Sequence, residues 1–70
     1  MEELKELEVL IGALSEKNES VMSKADGLAK MLAPSSRQWN DAQSIITTAT
    51  TNRIILRCMR DVIAEARGGQ

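Results

Sequence analysis

Seventy residues carrying nine basic and ten acidic side chains make a single small domain of net charge −1, spanning 1–70. That balance argues against non-specific nucleic-acid binding, which needs excess positive charge to displace phosphate counterions. With one cysteine and no histidine, an internal disulfide and a Cys/His metal site are excluded, and no general base is present to make Cys58 a nucleophile. The expectation is a binding protein without cofactor or metal, not an enzyme.

The chain starts Met1-Glu2-Glu3-Leu4-Lys5-Glu6. It lacks the basic start and apolar run of a secretory signal, and no segment reaches the ~20 apolar residues of a membrane span. A cytoplasmic location without membrane insertion is expected. From here a first helix is predicted over about 2–33. Its heptad positions are Leu4, Leu7, Ile11, Leu14, Asn18, Val21, Ala25, Leu28 and Leu32. Glu2, Glu3 and Glu6 suit the positive end of the helix dipole, and Gly12 and Gly27 fall on the predicted outer face.

Ala33-Pro34-Ser35-Ser36 predicts the turn. Proline biases its predecessor away from helix, and Ser35 or Ser36 caps the second helix. That helix is predicted over about 36–67, ending at Gly68-Gly69-Gln70. Its heptad stripe mirrors the first about residue 35: Leu7 with Ile63, Ile11 with Met59, Leu14 with Leu56, Asn18 with Asn52, Val21 with Ala49, and Ala25 with Ile45. The fold class is therefore all-α, an antiparallel two-helix hairpin resembling a coiled coil. The centre of helix 2, Thr47-Thr48-Ala49-Thr50-Thr51-Asn52, is weak in helix propensity.

Asn18 and Asn52 share one expected layer and are candidate register-setting residues, since a buried asparagine penalises slipped pairings. A polar gap filled by a partner is the other reading. The flanks of the seam pair Glu8 with Arg60, Ser15 with Arg53, Met22 with Ile46 and Ala29 with Trp39 on one side. On the other they pair Leu10 with Val62 and Lys17 with Ile55. Apolar flanks are unusual where only water is faced. Met22, Ala29, Trp39, Ile46, Ile54, Ile55, Cys58 and Val62 are thus the candidate partner-binding residues. Trp39 either covers the hairpin tip or anchors an interface. Arg53, Arg57, Arg60 and Arg67 lie on a common side of helix 2, where they pair within the hairpin or meet phosphate.

A Gln–aromatic pair just after the turn, here Gln38-Trp39, with Gln43 and Ile54-Ile55-Leu56 further along, resembles the small co-chaperone of the type III secretion needle subunit. The resemblance implies a hairpin that packs on a larger tetratricopeptide-like chaperone, the two keeping the needle subunit monomeric in the cytosol. Ile54-Ile55-Leu56-Arg57-Cys58-Met59-Arg60-Asp61-Val62-Ile63 is similar to the C-terminal helix of the needle subunit itself. That second resemblance implies self-assembly into a filament, and a secreted or cell-surface location in place of the cytoplasm. A homo-oligomeric coiled-coil hairpin is the remaining alternative.

Overall fold

The computed structural model describes residues 2–68. Two α-helices, α1 (Glu2–Met31) and α2 (Arg37–Gly68), pack against each other as an antiparallel hairpin of 53 × 15 × 12 Å. α1 stops two residues earlier than the sequence pattern predicts, and α2 starts and ends one residue later. Gly69 and Gln70, the rest of the expected tail, lie outside the described residues.

The reversal is a tight turn over residues 33–36. Ser36 N donates to Ala33 O at 3.0 Å, Pro34 fills the second position, and Ser35 takes the third with φ 68°. This is the geometry of a type II turn, whose third position favours glycine. Of the two candidate caps, Ser36 serves: its Oγ accepts from Trp39 N at 3.2 Å, and its carbonyl accepts the first helical bond from Asn40 N at 2.9 Å. One orphan donor of α2 is thereby satisfied. At the end of α1, Leu32 N bonds back to Ala29 O at 3.2 Å, a 3₁₀ closure. Lys30 pairs with Asp26 at 3.1 Å one turn earlier.

The threonine-rich centre of α2 is helical throughout. Thr50 Oγ1 donates to Ile46 O at 2.8 Å and Thr51 Oγ1 to Thr47 O at 3.2 Å. Hydroxyls that would compete with the helix are turned back onto its own carbonyls.

The packing stripe differs from the expected one. Ile11, Ala25 and Ala29 of α1 and Ala42, Ala49 and Ile63 of α2 are buried. Leu4, Ser15, Asn18, Met22, Leu32, Trp39, Gln43, Ile46 and Leu56 are half-buried. Leu7, Leu14, Val21 and Leu28, expected inside, are exposed, as are Ile45, Asn52 and Met59. One heptad series of each helix stays in the seam. The other is replaced by the neighbouring series Ser15/Met22/Ala29 and Trp39/Ile46. The change amounts to rotating each helix by about 50°, half the angle between successive residues. Its physical reason is close approach. Alanines at 25, 29, 42 and 49 let the backbones near each other around the turn, and Ala49 keeps only 2% of its surface exposed. Leucines there would hold the helices apart.

Candidate partner-binding face

The rotation gives the hairpin two unlike long faces. One is strapped by α2 arginines reaching across to α1. Arg53 Nε and Nη2 donate to Glu19 Oε2 and Oε1 at 2.7 and 2.6 Å, a bidentate fork, and Nη2 also lies 3.3 Å from Met22 Sδ. Arg60 Nη2 donates to Ser15 Oγ at 3.3 Å, and Arg67 Nη1 donates to Glu8. The expected flank pairs Glu8–Arg60 and Ser15–Arg53 are thus displaced by one heptad, to Glu8–Arg67 and Ser15–Arg60. Helical side chains lean toward the N-terminus of their helix. In α2 that direction is toward the turn, where α1 numbers are higher. The Arg53 fork holds the Glu19 carboxyl below the usual carboxylate range, mainly through its hydrogen bonds, and Glu19 raises Arg53 in return. These contacts place Arg53, Arg60 and Arg67 in pairing within the hairpin.

The other face is apolar and open. α1 contributes Leu7, Leu10, Leu14, Val21, Leu28 and Met31, and α2 contributes Ile45, Ile55, Met59 and Val62. Among the described residues, the only other large exposed hydrophobics are Val9 and Ile54. A groove runs between the helices on this side. Leu14 and Val21 face Asn52, Ile55 and Met59 across it, and Val21 faces Ile45 and Thr48 nearer the turn. Leu14 is 54% and Val62 65% exposed, so a monomer leaves these side chains in water. Scattered exposed hydrophobics need no explanation, but a continuous row on one face marks an interface or a groove.

The eight residues singled out from the sequence divide between three places. Met22, Trp39 and Ile46 are half-buried and Ala29 is buried, so these four, expected to be left for a partner, pack within the hairpin. Trp39 stands one turn into α2, with its backbone N held by the Ser36 cap. Ile55 and Val62 lie on the open face and the exposed Cys58 sits on its outer edge. Ile54, 58% exposed, sits on the other side of α2. Leu7, Leu14, Val21, Leu28, Ile45 and Met59 were missed because the heptad pattern assigned them to the seam. The complementary series Glu8/Ser15/Met22/Ala29 and Trp39/Ile46/Arg53/Arg60 held the signal that the seam ran one position over.

The two asparagines also part. Asn18 is half-buried, and its Nδ2 donates to Ala49 O at 2.8 Å, a cross-hairpin bond to backbone. Asn52 is exposed in the floor of the groove. Among the described residues no group of three or more His, Cys, Asp or Glu could hold a metal ion, and no helix is long and apolar enough to cross a membrane. Comparison with protein-family models, curated proteins and solved structures found no match.

Proposed function

We propose that this chain is a cytoplasmic binding protein of a bacterial type III secretion system, a co-chaperone that packs on a larger chaperone and helps keep the needle subunit soluble. The open apolar face carries the reading. A hairpin that strapped one side with ion pairs and left ten large hydrophobics on the other is built to lay that side on another helical surface. Covering it removes apolar area from water at ~25 cal/mol per Å², and partner and hairpin then stabilise each other by mass action. The family assignment rests on the Gln38-Trp39 pair at the start of α2.

The test is co-expression with the needle subunit and the larger tetratricopeptide-like chaperone from the same genome. A soluble ternary complex is expected, lost on Ile55→Asp with Val62→Asp while helicity is kept. A needle subunit equally soluble without this chain contradicts the reading.

The needle subunit itself is a second reading. It is favoured by the similarity of residues 54–63 and by the place of Ile54, away from the open face, since an open filament needs two different surfaces. It predicts filaments from the purified chain.

A further inference from the structure

We infer that the free chain covers its open face with a second copy, forming an antiparallel four-helix bundle whose two-fold axis runs parallel to the helices. The size of the face is the first argument. The hairpin is 53 Å long and 15 Å across, and a standard stable interface covers about 800 Å² per partner, which an occupant reaches only by lying along most of that length. A single short helix leaves much of that width wet, whereas a second hairpin matches it in length and breadth. Both copies present the same patch, as a closed two-fold interface requires.

The edges of the face select the orientation. On α1 the outer edge reads Leu10, Lys17, Lys24, Met31, and on α2 it reads Asp41, Thr48, Ile55, Val62. A two-fold axis parallel to the helices preserves height along the bundle. It lays α1 of one copy over α2 of the other, antiparallel to it. Leu10 then meets Val62 of the second copy, Lys17 meets Ile55, Lys24 meets Thr48 and Met31 meets Asp41. The apolar pair falls at the open end, and lysine stems lie along uncharged neighbours. The alternative two-fold, perpendicular to the helices, lays α1 over α1 in reverse and sets Lys17 and Lys24 against the same lysines. Like charges opposed across an interface disfavour it. In the favoured bundle Asn52 of each copy enters the layer of Asn18. The register-setting role then belongs to the dimer, where four asparagines meet, and a polar layer of that kind discriminates against slipped pairings.

The dimer needs no foreign protein, so its test is separate from that of the secretion reading. Sedimentation equilibrium of the purified chain should give twice the 7.7 kDa chain mass, with a melting temperature that rises with chain concentration. Val21→Asp with Met59→Asp should give the single-chain mass, and Ile54→Asp should remain a dimer. In a Cys58→Ser background, Leu10→Cys with Val62→Cys should oxidise to a covalent dimer, because the two edges diverge within one hairpin. A single-chain mass for the wild type at 100 µM-scale concentration, a melting temperature independent of concentration, or filaments would each overturn the dimer. A dimer of the right mass that fails to cross-link would overturn the orientation.

Discussion

Ser35 shows how one residue can hold a fold below its available stability. Its φ of 68° lies in the left-handed region, which costs a non-glycine residue roughly 1–2 kcal/mol. Ser35 is exposed, so a glycine there loses no packing. Ser35→Gly should therefore raise stability by about 0.5–1 kcal/mol after glycine's extra unfolded-state entropy is subtracted. Urea unfolding monitored by circular dichroism measures it, and an unchanged or lowered midpoint would contradict the type II turn. Glu19 supplies a pH dependence of known sign. Its folded-state carboxyl is held low by Arg53, so its stabilisation is fully present above the ordinary carboxylate range. It is lost as pH falls through the lowered folded-state value. Glu19→Gln should flatten that part of the acid limb of the stability curve while leaving the rest in place. Both groups are exposed, so the effect is small and shrinks with added salt.

At the scale of the element, the hairpin and its turn were legible in the sequence and the face of each helix was not. Apolar spacing with the Pro34-Ser35-Ser36 break fixes two antiparallel helices to within two residues at each end. It cannot say which neighbouring heptad series turns inward when both carry apolar residues. Size suggested Leu7, Leu14, Val21 and Leu28; close approach through small residues favoured Ser15, Met22 and Ala29. Hydrophobic side chains are assigned to a core by default, yet this hairpin carries more large apolar residues than its seam buries. Ala25, Ala42 and Ala49 lie in the seam in either case, so among the buried alanines Ala29 is the one that distinguishes the two series. Ala29→Leu makes the point testable. Adding three carbons where 6% of the surface is exposed should cost about 1–3 kcal/mol by overpacking. Gly27→Ala, whose added carbon meets nothing within 4 Å, should gain close to 1 kcal/mol from helix propensity alone. An Ala29→Leu protein as stable as the parent would restore the leucine-lined seam.

For the whole molecule, the division into a strapped face and an open face connects sequence to function. The arginine bridges run along one side from Glu19–Arg53 to Glu8–Arg67, and Leu14, Val21, Ile55 and Met59 are left exposed on the other. A hairpin of this size has no enclosed interior, and small domains commonly complete their core through association. The same face is thus the proposed site of self-association and of partner binding, and the two compete. A co-chaperone at rest as a dimer would open only when a better-matched helical surface arrives. Adding the partner should convert dimer to heterocomplex, with no species that holds both a second copy of this chain and the partner on that face.

The most direct measurement is paramagnetic relaxation of methyl signals by a soluble, uncharged paramagnet in the free protein. With the open face covered by a second copy, the methyls of Leu14, Val21, Ile45, Ile55 and Met59 should be protected nearly as well as those of Ile11 and Ile63, while Val9 and Ile54 relax strongly. Relaxation of Leu14, Val21 and Met59 as strong as that of Ile54, at concentrations where the chain is folded, would contradict a covered face. Protection of Ile54 in their place would contradict the assignment of the face itself.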